Sequence, residues 1–114
     1  MSAALDGTLE ALADPARRGV IDLLRKEPRR ASELADSLGL SRPAMSKHLA
    51  VLRERGLIEA DHDAADARAR VYRLRPEPFS ELRDWLVQVE RFWSLQLSAF
   101  KQHAEKTRGR RDRR

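Results

Sequence analysis

The chain has 114 residues, no cysteine, 36% charged residues and a formal net charge of +5. That length supports one domain with a small core, the missing cysteine excludes disulfides and thiolate metal sites, and no apolar run is long enough for a membrane span. The N-terminus lacks a secretory pattern, so a cytoplasmic location is expected.

The excess charge is local. Residues 106–114 hold six bases and one acid, which leaves the remainder formally neutral. The high pI is thus a property of the tail, and an argument about partners must rest on where the other charges sit.

Leu5, Leu9 and Leu12 recur at helical spacing and predict a short first helix. Asp14-Pro15 opens a second, with Asp14 as its cap and Pro15 in its first position. Ala16, Val20, Ile21 and Leu24 supply its buried face, and Pro28 ends it. Gly19 inside that helix costs about 1 kcal/mol relative to Ala, for which close packing is the only reason in view. Residues 32–38 form a short third helix that Gly39 ends, and Gly39-Leu40-Ser41 turns the chain into the next.

That fourth helix, residues 42–55, organises the rest. Ser41 suits its N-cap, Pro43 sits where a missing N–H costs little, and Gly56 fits a left-handed closing residue. Met45, Leu49 and Leu52 make one buried stripe. Pro43, Ser46, Lys47 and Ala50 lie opposite, flanked by Arg42 and Arg53, and no acid precedes Glu54. A short helix, a tight glycine turn and a capped second helix make a helix-turn-helix. The plain alternative is a helical hairpin in any small α domain. A small, polar, cationic face favours DNA, because it can approach a polyanion and still offer donors to base edges.

Leu57-Ile58-Glu59-Ala60 has β-type residues, and residues 68–74 alternate strictly, which predicts a hairpin joined through residues 61–67. Its tip is acidic, with Asp61, Asp63 and Asp66, so Arg68 and Arg70, on one side of the returning strand, are better placed to meet phosphate. The Asp61-His62-Asp63 cluster reads as a solvated turn rather than a metal site. Pro76 and Pro78 bracket a break, and one long helix runs from Phe79 to about Lys106. Its stripe of Leu82, Trp85, Leu86, Val89, Phe92, Trp93, Leu97 and Phe100 includes four of the chain's six aromatics, and Phe79 adds a fifth at the start of the helix. The stripe closes its own core or faces a partner. Wide apolar patches rarely stay exposed on monomers and two-fold operators suit dimers, so a homodimer is the expectation. The basic tail 107–114 is expected to be disordered.

Ser41, Pro43, Ser46, Lys47, His48, Leu49, Leu52, Arg53, Gly56 and Leu57, with the upstream Ala11-Leu12-Ala13-Asp14-Pro15-Ala16-Arg17-Arg18, resemble the ArsR family of winged helix-turn-helix repressors. The likeness runs from about Thr8 to Phe100. It implies a mainly α fold with a β-hairpin wing, first and last helices pairing across a two-fold axis, and double-stranded DNA with a palindromic operator as partner. The DNA-binding residues expected are Ser41, Arg42, Pro43, Ser46, Lys47, His48, Arg53, Arg68 and Arg70. The dimer interface expected is Leu5, Leu9, Leu12, Trp85, Val89, Phe92, Trp93, Gln96 and Phe100.

Many ArsR relatives sense metals. Aligning His103 to the family's last-helix site puts Glu90, Phe92 and Lys106 at its other positions, and neither Phe92 nor Lys106 is a ligand. No metal or other cofactor is therefore expected. Ser46 and His48 diverge by about 200° on a helix, so they do not form a nucleophile and base, and no enzyme activity is expected. Two other readings stand beside this one: a dimeric module whose aromatic helix binds another protein, and a metal sensor with a differently built site.

Overall fold

The computed structural model describes residues 2–112. The elements in order are α1 (Ala3–Leu12), α2 (Pro15–Leu24), β1 (Arg29–Arg30), α3 (Ala31–Leu38), α4 (Arg42–Glu54), β2 (Ile58–His62), β3 (Arg70–Leu74) and α5 (Pro76–Asp112). The chain divides into two units, Met1–Leu82 and Arg83–Arg114.

The first unit is a winged helix-turn-helix. Its caps are those the residue types dictate. Asp14 accepts from the amides of Ala16 and Arg17 at 2.8 and 3.2 Å, and Ser41 accepts from Ala44 at 3.2 Å. Ser2 caps α1 through the Leu5 amide and donates its hydroxyl to Glu81 at 2.6 Å, fastening the first helix to the start of α5. Both α3 and α4 close through a left-handed glycine, Gly39 at φ 64° and Gly56 at φ 78°. In each case the residue after the glycine bonds back five residues, Leu40 to Ala35 and Leu57 to Leu52, which satisfies carbonyls the helix leaves open.

The core joins Val20 and Leu24 of α2, Leu34 and Ala35 of α3, Met45, Leu49 and Leu52 of α4, and Leu57, Ile58 and Tyr72 of the wing base. The predicted stripe of α4 is thus the inner face. Gly19 faces Leu38, and a β-carbon there would lie 2.9 Å from a Leu38 methyl. Close packing of α2 on α3 is the reason for that glycine. Gly19→Ala is therefore expected to gain less than the roughly 1 kcal/mol that alanine normally gains in a helix, because the Leu38 methyl must give way, and to leave the melting temperature nearly unchanged. Thermal unfolding followed by circular dichroism measures this.

The sheet has three antiparallel strands in the order β1-β3-β2, with Ile58 opposite Leu74, His62 opposite Arg70, and Arg30 opposite Val71. Strand β1 is absent from the sequence reading, because two residues carry no periodicity. Arg68 departs from the reading too. It lies in the turn before β3, where its amide donates to Asp66 at 3.0 Å, rather than on the strand beside Arg70.

Helix α5 begins at Pro76, three residues earlier than expected, and continues to Asp112, beyond the expected end near Lys106. Both prolines fall in its first turn, where amides need no intrahelical acceptor. At the other end the arginines and Lys106 are good helix formers, so a basic run need not end a helix. Of the tail expected to be disordered, residues 113–114 lie outside the described residues.

Candidate nucleic-acid interface

The Asp-Pro-Ala-Arg-Arg segment has a local structural meaning. Helix α1 ends just before it, leaving carbonyls without partners. Arg17 donates Nε to Ala11 O at 2.7 Å, and Arg18 donates Nη1 to Leu12 O at 2.8 Å and Ala13 O at 3.1 Å. Two cations thus sit at the negative end of α1, where the helix dipole favours them. The Arg17 and Ala16 amides hold the Asp14 carboxyl below its usual range, and the nearby His48 lowers it further.

At the far end of α4, Arg55 pairs with Glu10 at 3.0 Å, and its side chain crosses Gly7, where a β-carbon would lie 3.1 Å from Arg55 Cδ. The recognition helix is braced against α1 at one end and packed on α2 and α3 along its inner face.

The wing is braced as well. Asp63 accepts from Nε of Arg30 at 2.7 Å and also from its Nη2, and takes the Ala65 amide at 2.8 Å. That amide and the Arg30 guanidinium hold the Asp63 carboxyl below the ordinary aspartate value. Asp61 pairs with Arg73 at 3.0 Å. Two of the three acids at the wing tip are therefore committed to arginines. The expected solvated turn at Asp61-His62-Asp63 is instead a strut joining the wing to β1, with Asp63 half-buried.

These pairings sort the cations. Residues 2–82 hold fourteen lysines and arginines. Arg17 and Arg18 are spent on α1, and Arg25, Arg29, Arg30, Arg55, Arg73 and Arg75 lie within 4 Å of a carboxylate. Among the described residues, those left without such a partner are Lys26, Arg42, Lys47, Arg53, Arg68 and Arg70. All but Lys26 belong to α4 or the wing. Ser41, Arg42, Pro43, Ser46, Lys47, Ala50 and Arg53 are exposed, as are Arg68 and Arg70. His48, expected to face DNA or to pack against a neighbouring helix, is less open than these. It is half-buried on the flank toward Asp14, because its position falls between the core stripe and the outer face.

A formally neutral body thus carries a segregated cationic face made of a helix and a hairpin. The sequence profile described as "Bacterial regulatory protein, arsR family" matches residues 14–60, which span α2 to the first wing strand. The HTH-type transcriptional regulator Rv2034 of Mycobacterium tuberculosis is 38% identical over 97 residues, 85% of each chain. The chain belongs to the ArsR family. Among solved structures, the ArsR family transcriptional regulator RHA00566 is 33% identical, with a TM-score of 0.71 over 80% of this chain and 97% of that one. The homodimeric winged helix-turn-helix domain of Mb0332 from Mycobacterium bovis is 28% identical, with a TM-score of 0.61 over 81% and 82%. This ArsR protein is a DNA-binding transcriptional regulator, and its relatives are regulators rather than enzymes.

The residues named for dimerisation divide by exposure. Leu5 is only 4% exposed in the single chain, so it is already committed and has little surface to offer a partner, a correction to its expected place in an interface. Leu9, Leu12, Trp85 and Val89 are half-buried, and Gln96 is exposed. Phe92, Trp93 and Phe100 are 60%, 59% and 72% exposed. Sequence reasoning missed Arg17, Arg18, Arg30 and Asp63 as structural ties. The arginine pair after Asp-Pro was the one available signal.

Proposed function

We propose that this ArsR protein is a homodimeric, cytoplasmic repressor that reads a palindromic operator through residues 42–55 and the wing, residues 57–74, and does not sense metals. The observation that carries the reading is the sorting of cations. The other arginines of residues 2–82 are used internally, Arg55 and Arg73 among them, while Arg42, Lys47, Arg53, Arg68 and Arg70 of α4 and the wing remain exposed and, among the described residues, without a carboxylate partner. Arg42 and Lys47 stand near the start of α4, the part of a recognition helix that reaches base edges. Ser46 and Ser41 add hydroxyls, and Arg53, Arg68 and Arg70 are suited to phosphates on either side. Dimerisation is supported by Leu86, Val87, Phe92, Trp93, Leu95, Leu97 and Phe100, the exposed large hydrophobics among the described residues, all of which lie on α5. A dimer bound across a promoter represses by occupying it.

Selection of bound sequences from a random duplex library, at stated salt, tests this. The expected product is an inverted repeat with half-site centres about 10 bp apart or a multiple of that. Enrichment of a single asymmetric site, or of none, overturns it. Metals provide a second check. Among the described residues no three His, Cys, Asp or Glu side chains gather as a metal group, and Phe92 and Lys106 occupy the positions that the family's last-helix site needs for ligands. Operator affinity is expected to be the same with zinc, nickel, cadmium or arsenite as with chelator. A stoichiometric metal complex that shifts affinity tenfold contradicts the reading.

A further inference from the structure

A notch lies where the start of α3 meets the wing. It encloses about 290 Å³ and is lined by Arg30, Ala31, Ser32, Ala69, Arg70 and Tyr72. The sheet register creates it: Arg30 sits opposite Val71, one residue from Arg70, so two guanidinium-bearing residues from distant parts of the sequence share one opening. Ala31 and Ala69 keep the walls low, Ser32 contributes a hydroxyl and Tyr72 a phenol.

The charges facing the notch are unequal. Arg70 has no carboxylate within 4 Å among the described residues. Arg30 gives Nε and Nη2 to Asp63, which leaves Nη1 and fixes the plane of its guanidinium. Glu33 is occupied by the Arg30 amide at 3.3 Å. Asp63, Asp66 and Glu33 all act on Arg30, so the unspent positive charge at the opening is that of Arg70. The volume of the notch is at the low end for small-molecule sites and suits a group of phosphate size. Arginine forks and a hydroxyl are the donors that phosphate oxygens take.

We propose that this notch seats one backbone phosphate of bound duplex DNA, held by Arg70, the free Nη1 of Arg30 and the Ser32 hydroxyl. Asp63 acts here as a positioning residue that aims Arg30. The seat anchors the wing base, apart from the outer face of α4. The proposal rests on the DNA-binding reading but not on a palindrome or a dimer.

The test is a cycle of Ser32→Ala, Arg70→Ala and the double variant, with affinity for a random-sequence duplex measured across a salt series and the fold checked by circular dichroism. A shared phosphate predicts that Arg70→Ala lowers the slope of log K against log salt by about one. Ser32→Ala should weaken binding several-fold, and the double variant should lose less than the sum, because both residues serve one group. Strictly additive losses, or an unaffected Ser32→Ala protein, overturn the shared seat. Titration with inorganic phosphate, followed by the amide resonances of residues 32 and 70, separates the sources. Saturation by phosphate with an unchanged DNA slope identifies a free-oxyanion site and overturns the DNA assignment. An inverted repeat in the library selection with no change of slope sinks the seat alone, whereas a lowered slope without an inverted repeat sinks the operator reading alone.

Discussion

Phe92→Ala and Trp93→Ala are expected to yield folded protein that sediments as a monomer at concentrations where the wild type is a dimer. Both rings are more than half exposed in the single chain, so neither holds the first unit together. Alanine is the best helix former, so α5 itself should persist. Aromatic anchors near the centre of an interface commonly cost at least ~2 kcal/mol when truncated, roughly a thirtyfold loss of dimer affinity. The two rings point about 100° apart on the helix, so one of them can carry more of the loss than the other. Operator affinity should fall in parallel, because a monomer grips only one half-site. Sedimentation equilibrium gives the mass and circular dichroism the fold. A wild-type protein that is monomeric at tens of micromolar and still binds an inverted repeat tightly contradicts the dimer.

The recognition face should show the other large effect. Arg42 and Lys47 are exposed, unpaired, and carried by a helix with no acid before Glu54. Lys47→Ala is expected to weaken binding on operator and random duplex alike and to reduce the salt slope by about one. Arg42→Ala is expected to cost about 1–3 kcal/mol on the operator and much less on random duplex, the mark of a lost bidentate contact to guanine. Neither change removes a core contact, so melting temperatures should hold. Unchanged affinity in both variants at moderate salt rules out this face as the reading surface.

The neighbouring cations make a useful contrast. Arg17 and Arg18 stand close in sequence to the same helices and are as basic, yet they bind the carbonyl end of α1. Removing Arg17 should act on stability, whereas removing Arg42 should act on DNA. Composition alone does not distinguish the two kinds of arginine.

Local rules determined much of this protein from its sequence alone. Asp14, Ser41, Gly39 and Gly56 mark helix ends because each supplies a cap oxygen or a left-handed backbone at low cost, and all four do so in the structure. Met45, Leu49 and Leu52 named the inner face of α4 through helical period, and hence the outer, cationic face as well. The tertiary structure decided what period and composition do not encode. A two-residue strand is too short to show a pattern, so β1 exists only because Arg29 and Arg30 meet Tyr72 and Val71. The need for Gly19 came from Leu38, nineteen positions away. The fate of each charge depended on which carboxylate or carbonyl lay within reach after folding. Asp63 is a strut because Arg30 arrives beside it, and Arg42, Lys47 and Arg70 stay unpaired because, among the described residues, no acid does.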